Sequence, residues 1–251
     1  MITRTDGRWH HHTRLDSTQA ELKRLLAADS RLAPWTVVTA QYQDQGVGRH
    51  GRSWITTRDA LAISVLLRPQ LASSSLPWLG ATAGLAMVDA LTHFGLGARI
   101  KWPNDIVVNG RKVCGLIAHA VYADMADPAI VVGLGLNMCG ARAEFEAAGL
   151  PQASSLEAEC GVIRASALDI AEQWLAWLNN RLASLTRHGP ESQLADYRLA
   201  LSDTGRDAVV RTADDRLVHG RLMGVNERGE LVVQTIEGIT ETVLAGIVEW
   251  Q

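Results

Sequence analysis

The sequence has no cysteine pairs, no long apolar run and no excess of either charge, and each absence excludes a class of protein. Its three cysteines are Cys114, Cys139 and Cys160. An odd, scattered set does not form a disulfide framework, and no Cys-x-x-Cys or Cys/His grouping at metal-ligand spacing is present. No stretch of about 18 apolar residues is available to span a bilayer. Met1 to Arg14 is polar, with no apolar core of a secretory signal, so a cytoplasmic protein without a membrane partner is expected. Charged residues make up 20% and the net charge is -3, which lacks the basic excess of nucleic-acid-binding proteins. Internal repeats and low-complexity segments are also missing.

What is present suffices for a sizeable core: 251 residues, 47% of them hydrophobic. Ser17 to Ala28 reads as a helix with Leu22, Leu25 and Leu26 on one face. Thr36 to Gln41 and Ala60 to Leu67 read as strands, the second a buried one stopped by Pro69. Leu79 to Phe94 has helical spacing. Arg99 to Trp102 and Asp105 to Val108 are expected as strands around a Pro-Asn-Asp turn, followed by strands over Val113 to Tyr122 and Ile130 to Leu136. Ala165 to His188 reads as a long amphipathic helix with Leu168, Trp174, Leu175 and Leu178 inward. Beyond Tyr197 the pattern changes to short strands, Asp207 to Thr212, Leu217 to Val225, Leu231 to Thr235 and Thr240 to Val248, which suggest a small β-barrel. A domain boundary is placed near Ser202, giving domains 1–202 and 203–251. The tract His10-His11-His12 reads as a solvated segment or edge strand in preference to a metal site.

Four segments carry residues suited to chemistry. In the loop Gln43 to Trp54, glycines let the backbone approach a ligand, and Arg49 and Arg52 offer charge-assisted donors to carboxylate or phosphate. The alternative is a flexible surface turn. No Gly-Lys-Ser/Thr ends the loop, and its glycine spacing is not that of a dinucleotide fold. In Lys101-Trp102-Pro103-Asn104-Asp105, alternation puts Lys101 and Pro103 on one strand face and Ile100 and Trp102 on the other. A partly buried ammonium there needs an anion, either Asp105 in a structural ion pair or a ligand. In Gly133-Leu134-Gly135-Leu136-Asn137, glycines inside a strand mark a bulge or the close approach of another body. In Asp16-Ser17-Thr18-Gln19, the hydroxyls either cap a helix or bind a polar head group.

In this order the four segments resemble the biotin protein ligase family. That family's pattern is a Ser-Thr-Asn start, a Gln ahead of a Gly-Arg-Gly-Arg-x-Gly-Arg-x-Trp loop, Lys-Trp-Pro-Asn-Asp, Gly-x-Gly-x-Asn and a small C-terminal barrel. Lys112-Val113-Cys114-Gly115-Leu116 is similar to its Lys-x-x-Gly-Ile/Leu segment. The resemblance covers nearly the whole chain. It implies an α+β fold: a mixed-sheet catalytic domain with flanking helices, similar to class II synthetases, plus an SH3-like C-terminal barrel.

The resemblance also implies an activity. Biotin and ATP form biotinyl-5'-AMP, and biotin then passes to a lysine of a biotin carboxyl carrier protein, as in acetyl-CoA carboxylase, with Mg²⁺ accompanying ATP and no metal ligands assignable. Lys101 and Arg49 are the implied catalytic residues. Ser17, Thr18, Gln19, Gln43, Gly46, Gly48, Arg49, Lys101, Gly115, Gly133 and Gly135 are the implied biotin contacts. Arg49, Arg52, Trp54, Lys101, Asn104 and Asn137 are the implied ATP contacts. The sequence departs from the pattern at Gln19 for Asn, at Val47 for the first loop arginine and at His50 for a basic position. Too few residues precede Ser17 for a winged helix, so no DNA binding is expected, and a homodimer stays open. The nearest rival enzyme is a lipoate or octanoyl ligase. A sensor that has lost turnover is the rival of another class.

Overall fold

The strands of the first 136 residues pair into one mixed sheet. The structure, a computed structural model, describes residues 8–55, 60–72, 75–121 and 129–250, apart from the side chains of His50 and Trp250. Seven strands are ordered β1-β2-β3-β7-β6-β5-β4. They are β1 (Trp9–Leu15), β2 (Val37–Gln43), β3 (Leu61–Leu67), β4 (Arg99–Lys101), β5 (Asp105–Val108), β6 (Arg111–Val121) and β7 (Ala129–Leu136). β1 runs parallel to β2, and every other neighbour is antiparallel. The histidine tract lies in β1 at the sheet edge, where His11 Nδ1 meets Thr39 Oγ1 at 2.9 Å. Of the expected strand Val113 to Tyr122, Tyr122 lies outside the described residues.

Because strand side chains alternate, one face of β3, β6 and β7 faces helices α2 (Trp78–His93) and α5 (Ala167–His188). Leu61, Ile63, Val65, Leu116, Val132, Leu134 and Leu136 join the main core on that side. α2 is apolar nearly all round because it is buried between the sheet and α5. α5 starts in a capping box. Ser166 Oγ accepts from the Asp169 N–H, and the Asp169 carboxylate accepts from the Ser166 N–H at 2.9 Å. Its Trp174 indole donates to Ala83 O in α2 at 3.1 Å.

The opposite face is covered only in part, by α1 (Thr18–Ala28). Leu22 and Leu26, one helical turn apart, pack on Val38, Leu66 and Val131. Two residues further along each of these strands the side chains shrink to Ala40, Ser64 and Gly133, and then to Ala62 and Gly135 beside Gly115. The helix therefore seats against the bulky end of the face and leaves a hollow over the small end.

A second sheet, ordered β11-β10-β9-β8-β12, follows residue 206 and is consistent with the SH3-like barrel expected. Its strands are β8 (Asp207–Thr212), β9 (Leu217–Val225), β10 (Leu231–Thr235), β11 (Thr240–Val243) and β12 (Gly246–Trp250). The single strand expected over Thr240 to Val248 is thus two. The chain leaves β10 after Val243 and crosses to β8, and Gly246 permits the crossing: a Cβ there would lie 2.5 Å from Arg211 O. The turn between β9 and β10 docks on the first sheet's helical layer. Trp78 Nε1 donates to Glu227 O at 3.0 Å, and Trp102 Nε1 to Gly229 O at 3.2 Å.

Three short helices were not expected: α3 (Arg142–Ala147), α4 (Leu156–Cys160) and α6 (Glu191–Ala200). α3 and α4 span fewer than two turns, too short to develop a periodic face. No helix among the described residues is long and apolar enough to cross a membrane.

Candidate functional site

The hollow over the glycines is a cavity of about 240 Å³. Its floor is the glycine-rich part of the sheet, with Gly115 opposite Gly135 and Gly133 opposite Ser64 in register. The side chains of Trp54, Gln19 and Lys112 lie against these glycines, in the space that Cβ atoms would need. At Gly135 a Cβ would sit 2.3 Å from Trp54 Cε2, and at Gly133 2.6 Å from Gln19 Nε2. The glycine spacing in β7 therefore reflects close approach of other groups and not a bulge.

One end of the cavity is polar and pre-ordered. Gln43 Oε1 accepts from the Thr18 N–H at 2.7 Å and from Thr18 Oγ1 at 3.1 Å, and Thr18 Oγ1 lies 2.8 Å from Ser64 Oγ. Ser17 occupies the cap position of α1, but its side chain makes no cap bond. Ser17 and Thr18 both line the cavity. The Gln43 loop closes on itself through Gly48 N to Arg52 O (2.7 Å) and Trp54 N to Gly46 O (2.8 Å). Arg49 reaches from it to Asn104 Oδ1 at 3.0 Å, and Asn104 Nδ2 in turn donates to Leu116 O at 2.8 Å.

Two cations stand over the middle. Arg49 is half-buried, and burial lowers its pKa, with Arg52 adding to the effect and Asp105 opposing it. Lys112 Nζ pairs with Asp105 at 2.7 Å, lies 5.7 Å from the Trp54 ring centroid, and comes within 3.2 Å of where a Gly115 Cβ would be. The ion pair of Asp105 is therefore with Lys112, which the sequence reading had not singled out as a site residue. Lys101 borders the cavity and also the neighbouring cleft that contains Asp203 and Arg206. Burial lowers its pKa against the pull of Asp203 and Asp105.

Phe145, Leu150, Ala153 and Asn137 also line the cavity, as do Gly246, Ile247 and Val248 of the second sheet. Asn137 Nδ2 donates to Ser154 O at 3.0 Å, while Asn137 Oδ1 is buried with no hydrogen-bond partner. Trp54 Nε1 is likewise buried and unpaired. An orphaned buried polar atom costs roughly 1–3 kcal/mol, and both of these belong to residues lining the cavity, where a ligand atom could satisfy them.

Of the residues expected from sequence, Ser17, Thr18, Gln19, Gln43, Gly48, Arg49, Arg52, Trp54, Lys101, Asn104, Gly115, Gly133, Gly135 and Asn137 all line this one cavity. Gly46 does not. It shapes the loop, since a Cβ there would meet Trp54 O at 2.8 Å. Val47 lines the cavity with its side chain half exposed, and the His50 side chain lies outside the description. Sequence reading missed Ser64, Lys112, Phe145 and the β12 segment. Ser64 had a usable signal, as a lone hydroxyl inside an otherwise apolar strand.

Known proteins are similar to this chain in sequence and fold. Residues 12–137 match the Biotin/lipoate A/B protein ligase family. The chain is 31% identical over 92% of its length to a biotin--[acetyl-CoA-carboxylase] ligase of Mycobacterium tuberculosis, of which it covers 84%. It is 27% identical over 94% of its length to the bifunctional ligase/repressor BirA of Bacillus subtilis, of which it covers 72%. Among solved structures, the biotin protein ligase of Aquifex aeolicus in complex with biotin and ATP superposes with a TM-score of 0.81, at 23% identity, over 96% of this chain and 97% of that one.

Proposed function

We propose, starting from the fact that the chain belongs to the biotin/lipoate A/B protein ligase family, that it is an ATP-dependent biotin protein ligase acting on the biotin carboxyl carrier domain of a carboxylase. One observation carries the reading. A glycine-lined strand face, three part-buried cations and two unpaired polar atoms meet in a single cavity.

The biotin ring system takes the end formed by Ser17, Thr18, Gln19, Gln43 and Ser64, lying on Gly133 and Gly135. The nucleotide takes the end with Arg52, Asn104 and Asn137, where Asn137 Oδ1 suits an exocyclic amine donor. Between them the biotin carboxylate attacks the α-phosphorus of ATP, giving biotinyl-5'-AMP and releasing pyrophosphate. Two anions must meet, so the enzyme's contribution is positioning and charge compensation. Lys112, steadied by Asp105, and Arg49 are the groups nearest that meeting point, and partial burial strengthens their fields. Lys101 adds a third positive charge at the cavity's edge. In the second step the carrier lysine attacks the acyl carbonyl and AMP leaves.

The cavity is smaller than the roughly 300 Å³ at the low end of ordinary small-molecule sites, so the Gln43 to Trp54 loop must move to admit the second substrate. Closure of that loop then keeps water from the adenylate. Among the described residues no cage for Mg²⁺ is present: the single carboxylate lining the cavity is Asp105, already paired. No cluster of three or more metal-ligating side chains occurs among the described residues. Mg²⁺ would therefore arrive on the phosphates of ATP, and no step is assigned to it. The division into domains 1–202 and 203–251 belongs to the same reading, with the second domain covering the nucleotide end. Pyrophosphate release from ATP on adding biotin, lipoate or octanoate tests the proposal. Release with biotin alone is expected, and release with lipoate or octanoate alone would refute it.

A further inference from the structure

We propose that His119 is a positioning residue that determines how the cavity holds the biotin ring, by fixing the orientation of the Gln19 side-chain amide. The inference rests on the ligase reading and extends it to a residue outside every motif discussed above.

Gln19 enters the cavity from the first turn of α1, while Ile117 and His119 alternate on the same face of β6. Gln19 Nε2 donates to Ile117 O at 3.5 Å, and Gln19 Oε1 lies 3.0 Å from His119 Nδ1. The amide oxygen can only accept, so this contact is attractive when Nδ1 carries the proton. The reversed amide would set its oxygen against the Ile117 carbonyl and present its NH₂ to the imidazole. One orientation therefore satisfies both neighbours.

That orientation has a consequence for the ligand. The amide nitrogen has two hydrogens, and Ile117 O takes one. Nε2 itself lies over Gly133, where a built Cβ would be 2.6 Å away, and its second hydrogen is left for the ligand. The floor of the biotin end thus presents a donor. Gln19 is one methylene longer than the Asn of the pattern it resembles, and that extra length makes a fixed orientation necessary. A long amide without an anchor at its oxygen loses rotamer order and can turn an acceptor toward the ring. His119 supplies the anchor and is itself exposed. Replacing it removes an orienting bond without opening the core.

The test is steady-state kinetics of biotin-dependent pyrophosphate release by the full chain. Loss of one hydrogen bond changes an equilibrium by about two- to tenfold. His119→Leu should raise the KM for biotin by about that factor and leave kcat and the KM for ATP within about twofold. His119→Asn, whose amide nitrogen takes the place of Nδ1, should restore the wild-type KM. Gln19→Ala should raise the KM for biotin, and adding His119→Leu to it should change nothing further. An unchanged biotin KM in His119→Leu would overturn the inference, as would equal changes in kcat and ATP KM or additive effects in the double variant. Wild-type protein without biotin-dependent turnover would overturn the ligase reading as well, so the two failures are distinguishable.

Discussion

Gly135→Ala separates the folding role of the glycine floor from its binding role. The backbone of Gly135 lies in a regular antiparallel ladder between Ala62 and Gly115, without the positive φ that would demand glycine for its own sake. By strand propensity alone alanine would be neutral or stabilising there, by about 0.5–1 kcal/mol. The cost comes from the cavity. The new methyl would start 2.3, 2.5 and 2.6 Å from Cε2, Cζ2 and Nε1 of Trp54, and van der Waals contact requires about 3.5 Å or more. The indole must retreat by about 1 Å. Trp54 sits on a loop and lacks a bond at Nε1, so it can do so without unfolding the sheet. In the complex both the methyl and the displaced ring intrude on the ligand, which is an overpacking of roughly 1–3 kcal/mol, or about 5- to 150-fold in affinity. Calorimetric titration with biotin, run beside thermal unfolding, measures both quantities. The account expects weaker biotin binding with the melting temperature unchanged or slightly raised. Wild-type biotin affinity in Gly135→Ala would show that the ligand does not lie on this floor.

Lys112→Met should lower the rate of pyrophosphate release by about 10²–10³, the cost of removing one preorganised charge partner of a transition state, and should reduce biotin affinity far less; equal losses in both would contradict a role in the chemical step. Arg49→Gly should weaken retention of the adenylate by roughly 1.5–3 kcal/mol, so that proteins in the mixture become labelled at many lysines; strict carrier specificity in this variant would remove Arg49 from the site. At acid pH the sign follows from Asp16, which the Arg24 guanidinium and the Ser17 N–H hold down at about 2 against an ordinary 3.8. Its contribution to stability is complete above about 3.8 and is lost as the pH falls toward 2. Denaturation profiles of wild type and Asp16→Asn should therefore converge at the acid end, and a constant gap between them would refute the assignment.

Much of the site could be read from the sequence because its motifs are local. The loop from Gln43 to Trp54, Lys101 to Asp105 and Gly133 to Asn137 each fall on consecutive residues whose composition conflicts with plain surface or core. What escaped depends on register. Asp105 lies opposite Gly115 and Val107 opposite Lys112, because the β5–β6 ladder slips between Ile106 and Val107. That slip brings Lys112 to Asp105, and nothing in a one-dimensional pattern announces a bulge. The Gln19–His119 contact spans 100 residues and joins a helix to a strand, beyond any periodicity argument. The strands β11 and β12 read as one in sequence because their different partners, β10 and β8, are set by long-range pairing, and Gly246 alone gives no sign of the change.

The most direct test of the central claim is the intact mass of a biotin carboxyl carrier domain after incubation with the chain, ATP and biotin. The account predicts that one biotinyl group is added at a single lysine, and that nothing is added when that lysine is arginine or when ATP is withheld. No added mass under conditions where pyrophosphate is released, or addition spread over many lysines by the wild-type chain, would contradict it.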